Sequence, residues 1–149
     1  MEIVIRASYE EMCEEAFRIV ERELRRKPSL VIGLATGRTP LGLYRRMTGS
    51  KLSFRRARFF NVDEFLGLRP DDAGSFRHLL QDRVLGPLGI PERNAFLLRG
   101  DVKDADKAAA AYEKVIRAVG GVDLQILGIG RNGHIGFNEP GSELAARTH

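Results

Sequence analysis

Asn132, His134, Asn138 and Glu139 crowd one short stretch of the chain, residues 124–141, in which an apolar run (Leu124, Ile126, Leu127, Ile129) gives way to glycines at 128, 130, 133 and 136. A histidine changes charge near neutral pH, and a carboxylate and two amides in the same loop make acid–base chemistry the natural use of it. The apolar run reads as a strand buried on both faces, which breaks into glycine where the side chains turn polar. Ligands of open parallel sheets bind outside the carboxyl ends of the strands, where these residues would stand. Glycine allows positive φ and close backbone approach at an entropic cost. A plain glycine-rich turn with one surface histidine is the competing reading, and the clustering favours chemistry.

Two further loops carry reactive groups. The run Arg58-Phe59-Phe60-Asn61-Val62 reads as a strand that delivers Asp63 and Glu64 at its end. Adjacent residues on an extended backbone point to opposite faces, so one carboxylate can face a pocket while the other braces a loop or meets solvent. Asp63 is taken as the functional member, with a helix cap or surface pair equally compatible with the local sequence. In Thr36-Gly37-Arg38-Thr39-Pro40, Thr39 is a natural N-cap and Pro40 suits the first helical position, which predicts a helix over residues 40–47. Such a helix start can be a phosphate cradle, with the Thr36 and Thr39 hydroxyls as extra donors, or an ordinary capped terminus.

The elements that must position these loops follow from periodicity. Residues 2–6 read as a first strand, and Ser8-Tyr9-Glu10-Glu11 as a capping box opening a helix to about Lys27, with Met12, Ala16, Val20 and Leu24 on its apolar face. Cys13 packs on that helix as a small apolar residue. Strands are expected at residues 30–35, 58–62 and 95–98. A helix starts at Gly74-Ser75 and ends at Gly86-Pro87, with His78 facing solvent, and an alanine-rich helix capped by Asp104 covers residues 104–119. Strand and helix alternate at this spacing in an α/β fold: a three-layer, Rossmann-like, doubly wound, mainly parallel sheet with helices on both faces.

Composition narrows the partners. A chain of 149 residues suits one domain over 1–149, with 43% hydrophobic and 30% charged residues, the balance of an ordinary globular protein. No apolar run reaches membrane-spanning length and the first residues lack a signal-peptide layout, so no membrane partner and a cytoplasmic location are expected. The net charge of +4 is dispersed among acids, without a basic stripe interleaved with aromatics, so nucleic acid is not expected either. Arg55, Arg56 and Arg58 read as surface charge, and a small phosphate-bearing molecule stays compatible. A single cysteine excludes an internal disulfide or a CxxC site.

Taken together, residues 33–40, 60–65 and 127–140 resemble, in order and spacing, the glucosamine-6-phosphate deaminase family. The sister 6-phosphogluconolactonases share the phosphate loop and a Gly-His loop but lack the Phe137-Asn138-Glu139-Pro140 continuation and the Asn61-Val62-Asp63-Glu64-Phe65 form. The resemblance implies conversion of glucosamine 6-phosphate and water to fructose 6-phosphate and ammonia, without metal or organic cofactor. By position it makes Asp63 the base moving a proton between C2 and C1, His134 the residue assisting ring opening and Glu139 its orienting carboxylate. Asn132 stands where members carry Asp or Asn. Thr36, Gly37, Arg38 and Thr39 match part of the phosphate site, with Arg38 in place of a smaller residue. The family continues past the equivalent of His149 into further strands, a mobile lid and basic side chains, so a chain of residues 1–149 leaves a sheet edge open to self-association as a homo-oligomer or to a partner chain. A lactonase-like hydrolase and a non-catalytic sugar-phosphate-binding module are the alternative readings.

Overall fold

The computed structural model describes residues 2–143, 147 and 148. Its elements run α1 (Tyr9–Arg26), β1 (Val31–Leu34), α2 (Leu41–Gly49), β2 (Arg58–Asn61), α3 (Phe76–Leu80, continued by a π-helical turn, Gln81–Leu85), β3 (Ala95–Phe96), α4 (Ala105–Ala118) and β4 (Leu124–Gln125). The four strands form one all-parallel sheet in the order β3-β2-β1-β4. The doubly wound α/β arrangement read from the sequence is the one observed.

The strand order decides where each helix lies. From β1 to β2 to β3 the chain steps one way across the sheet, and from β3 to β4 it must return past two strands. Right-handed crossovers put helices on one face for the first direction and on the other for the return. Accordingly Ile32, Leu34 and Phe59 share a core with Val20 and Leu24 of α1, Leu43, Tyr44 and Met47 of α2, and Leu80, Val84 and Leu85 of the α3 segment. On the opposite face Phe60 stacks on Phe96 and meets Tyr112 of α4 edge-on. Each fully buried side chain of this size stabilises by about 1.5–3 kcal/mol, so the pleat alone fixes both layers.

The α1 cap forms from Ser8, whose Oγ accepts from the Glu11 N–H, while the Glu11 carboxylate accepts from the Ala7 N–H rather than from that of Ser8. Cys13 is buried on α1 as expected. Asp104 caps α4 by accepting from the Lys107 N–H. Arg55, Arg56 and Arg58 sit at the start of β2, the end of the sheet remote from the three loops.

Three expectations are corrected. Residues 2–6 form no strand; Ile3 and Ile5 are 72% and 84% exposed. A short apolar run supplies strand composition but not a partner, and β1 and β2 already have neighbours on both edges. The apolar run at 124–129 pairs only at Leu124 and Gln125, with Ile126 N–H adding a bond to the Gly33 carbonyl. It lies at the edge of the sheet, so Leu127 and Ile129 are exposed rather than buried on both faces. Finally, α2 begins at Leu41 with Pro40 as its N-cap residue, and Thr39 makes no cap. The Tyr9 hydroxyl of α1 takes that place, accepting from the Gly42 N–H at 2.9 Å and donating to the Thr39 carbonyl at 2.8 Å.

The entry to β4 is tied by Asp123, which accepts from the Val31 N–H and pairs with Lys27 at 2.7 Å; the Lys27 ammonium holds this carboxyl below its ordinary range. Between α1 and α2 the backbones approach at Gly42, where a Cβ would overlap Cys13 Sγ and stand 2.7 Å from the Tyr9 hydroxyl. Gly42→Ala is therefore expected to cost about 1–3 kcal/mol through overpacking, read as a lowered urea midpoint with unchanged slope; an unchanged midpoint would show that the helices can part freely.

Candidate active site

Beyond the carboxyl ends of the neighbouring strands β1 and β4 a crevice of about 270 Å³ opens. Thr36, Gly37, Arg38 and Thr39 line it from β1, Asp63 from β2 and His134 from the loop after β4. The structure thus brings together loops that lie up to a hundred residues apart in the chain. Phe76 and Phe137 complete the wall, their rings 6.1 Å apart and both in contact with Phe65.

The adjacent carboxylates divide as an extended backbone requires. Glu64 turns away and caps α3: it accepts from the Phe76 N–H at 3.0 Å, the Arg77 N–H at 2.8 Å and the Ser75 hydroxyl at 2.7 Å. A carboxylate at a helix N-terminus satisfies orphan donors and meets the positive end of the dipole. Asp63 faces the crevice, half-buried, and accepts from the Thr36 hydroxyl at 3.3 Å. Burial pushes its carboxyl above the ordinary carboxylate value; the Thr36 hydrogen bond opposes that shift and the neighbouring Glu64 charge adds to it. A base of raised affinity for protons, close to a site where it can be reached, is what proton abstraction needs.

His134 stands between two glycines of positive φ, Gly133 (93°) and Gly136 (60°). Only glycine adopts these angles without strain, and the pair lets the loop turn back on itself. Its ring lies over Gly130, where a Cβ would overlap the imidazole. Asn132 Oδ1 meets His134 Nδ1 at 2.7 Å and also accepts from the His134 N–H, while Asn132 Nδ2 donates to Glu139 at 2.6 Å. A carboxylate can only accept, so the Asn132 amide must present its NH₂ to Glu139 and its oxygen to the imidazole. In the neutral imidazole Nδ1 then carries the hydrogen and Nε2 the lone pair. Glu139 reaches His134 through Asn132. Asn138 closes the turn instead, its side-chain amide and N–H both donating to the Ile135 carbonyl.

Backbone N–H groups at the start of α2 are partly engaged: that of Leu41 donates to the Arg38 carbonyl and that of Gly42 to Tyr9. The donors left to an anion at this loop lie before the helix, around Gly37. Tyr9, Asn61 and Tyr112 contribute to the site's framework without a local signal in the sequence, because their partners lie about 30 to 50 residues away. Among the described residues no group of three His, Cys, Asp or Glu side chains could hold a metal ion, and no helix is long and apolar enough to cross a membrane.

Two outcomes follow from this geometry. The raised Asp63 value means that the folded state holds its proton more tightly than the unfolded chain, so ionisation costs stability above that value and the cost disappears as pH falls through it. Asp63→Asn is expected to be more stable than the parent at pH 7, with the difference closing towards pH 4; equal stability across this window would contradict a disfavoured charge. Asn132→Ala removes the acceptor at Nδ1, so nitrogen-15 spectra of His134 should change from a single Nδ1–H tautomer to a mixture. An unaltered spectrum would mean that another group holds the ring.

Comparison with known proteins identifies the family. The profile of the family described as glucosamine-6-phosphate isomerases/6-phosphogluconolactonase matches residues 6–145. The chain is 40% identical to the glucosamine-6-phosphate deaminase of Geobacillus sp. (strain WCH70), covering 100% of the chain and 61% of that protein. It is 43% identical to that of Shewanella loihica, covering 99% of the chain and 57% of the relative. The chain therefore spans about three fifths of the length of these curated relatives. Among solved structures, a monomeric glucosamine-6-phosphate deaminase superposes with a TM-score of 0.93 at 38% identity, over 100% of this chain and 64% of that one. A 6-phosphogluconolactonase from Thermotoga maritima superposes with a TM-score of 0.78 at 27% identity, over 91% and 62%. The chain belongs to the glucosamine-6-phosphate isomerase/6-phosphogluconolactonase family.

Proposed function

We propose that this chain carries the catalytic half of a glucosamine-6-phosphate deaminase, which converts glucosamine 6-phosphate and water to fructose 6-phosphate and ammonia. The observation that supports it most is the meeting of Asp63 and His134 in one crevice with residues 36–39. In this reading the loop of Thr36, Gly37, Arg38 and Thr39 binds the phosphate through backbone N–H groups and hydroxyls, which holds the sugar for the later steps. The lone pair on His134 Nε2 moves the proton that opens the ring, with Asn132 and Glu139 fixing the imidazole. Asp63 then takes the proton from C2 and delivers it to C1. The nitrogen is left as an imine at C2, and water hydrolyses it to the ketone with release of ammonia. A charged sugar phosphate does not cross membranes unaided, so the same reading puts the reaction in the cytoplasm.

Identity of about 40% to the deaminases against 27% to the lactonase supports the amino-sugar reading over lactone hydrolysis. The direct test is ammonia release from glucosamine 6-phosphate by this chain, beside a full-length relative, with lactone hydrolysis assayed in parallel. Ammonia release supports deamination; lactone hydrolysis alone replaces it, and hexose-phosphate binding in a calorimeter without turnover leaves a binding module. A general base contributes about 10²–10⁴ to rate, so Asp63→Asn is expected to lower kcat by that factor with binding retained. Undiminished exchange of the C2 proton in this variant would move the base elsewhere.

A further inference from the structure

Asn61 is a polar side chain only 4% exposed, at the last position of β2, and every polar atom of its amide and backbone that faces β3 is used. The N–H groups of Arg58 and Val62 donate to the Leu30 and Leu34 carbonyls beside β1. By the alternation of a parallel ladder, the N–H and carbonyl of Asn61 point to the other side. There β3 has already ended at Phe96, and no strand is left to receive them. The Tyr112 hydroxyl of α4 fills the place of the missing strand: it accepts from the Asn61 N–H at 3.0 Å and donates to the Asn61 carbonyl at 2.8 Å. The Asn61 side chain ties the two departing strands, its Oδ1 accepting from the Leu98 N–H at 2.9 Å and its Nδ2 donating to the Asp63 carbonyl at 2.8 Å.

We propose that Asn61, seated by the Tyr112 hydroxyl, is a positioning residue that fixes the backbone of Asp63 and with it the place of the Asp63 carboxylate in the crevice. It rests on the deaminase reading in taking Asp63 as the base. Burying a carboxamide is costly unless each of its groups is paired, and an apolar residue at this point would leave both the Leu98 N–H and the turn at Asp63 unheld. The bond to the Asp63 carbonyl acts two side-chain rotations away from the reactive oxygens. It can therefore set their position without touching a substrate. Charged groups around Asp63 are Glu64 on its own segment, Arg38 and His134 across the crevice, and Arg99, Glu113, Glu143 and Arg147 around the hollow on its other side.

The test compares the parent chain with Tyr112→Phe, which keeps the ring against Phe60 and removes only the hydroxyl, and with Asn61→Ala. Carbon-13 titration of the Asp63 carboxyl is the readout that a merely structural role would not move. In folded Tyr112→Phe the midpoint is expected to fall by about half a pH unit or more towards the ordinary carboxylate value, as the released carboxyl reaches water. With glucosamine 6-phosphate, kcat should fall about ten- to a hundredfold while KM stays within about twofold, the pattern of a misplaced base in an intact binding site. A parental Asp63 titration in either folded variant overturns the proposal, as does a loss confined to KM. If Asn61→Ala does not fold, Tyr112→Phe decides alone. If the parent releases no ammonia, the deaminase reading fails while the Asp63 titration still decides the positioning.

Discussion

Strand β1 is hydrogen-bonded on both edges, to β2 through four residue pairs and to β4 through two, and the position of every reactive group follows from that. Because crossovers are right-handed, a chain that steps from β1 to β2 to β3 and then returns must change faces, so α4 packs opposite α1, α2 and α3. The loops after β1 and β4 rise side by side from neighbouring strands and leave a gap between them. Loops 36–39 and 130–139 border that gap because of topology, and Asp63 joins them from the next strand. The crevice is thus a consequence of the winding.

Within the crevice, the chemistry depends on groups that differ only in where a neighbouring side chain points. Asp63 and Glu64 are chemically almost the same, yet Glu64 is spent on the start of α3 and Asp63 is left with one weak partner in a half-buried place. Similarly, His134 owes its free nitrogen to a chain of amide and carboxylate whose order is imposed by the acceptor-only nature of Glu139. Hydrogen-bond inventory, more than net charge, separates the groups that support the fold from those available for proton transfer.

How much of this was legible in the sequence depended on the range of the interaction. Helices capped by their own residues, such as α1 by Ser8, α3 by Ser75 and α4 by Asp104, and the strands at 31–34 and 58–61 are written in local patterns. So were the three loops, because glycines and polar residues after an apolar run mark a strand's carboxyl end. Local pattern fails where a distant partner decides. Residues 2–6 have the composition of a strand without a neighbour to pair with. Thr39 has the chemistry of a cap, but Tyr9 arrives from α1 to bond the Thr39 carbonyl and the Gly42 N–H. Asn61 reads as an ordinary strand residue until β3 is seen to stop short of it, and the role of Asn132 between His134 and Glu139 emerges only from their geometry.

The pairing of β4 with β1 also has a kinetic side. Val31 and Asp123 meet across 92 residues, whereas β1 finds β2 through one short helix. Closing the longer loop costs more chain entropy and is rewarded by only two paired residues and the Asp123 anchor. The β1–β2 unit with α1 and α2 can therefore form first, and β4 docks onto it late. Since His134 lies beyond β4 in the chain, molecules in which β4 has not docked lack the imidazole opposite Asp63. A ligand bridging loops 36–39 and 130–139 would act as a clasp on this last step, raising the free energy of local opening at β4 towards that of global unfolding.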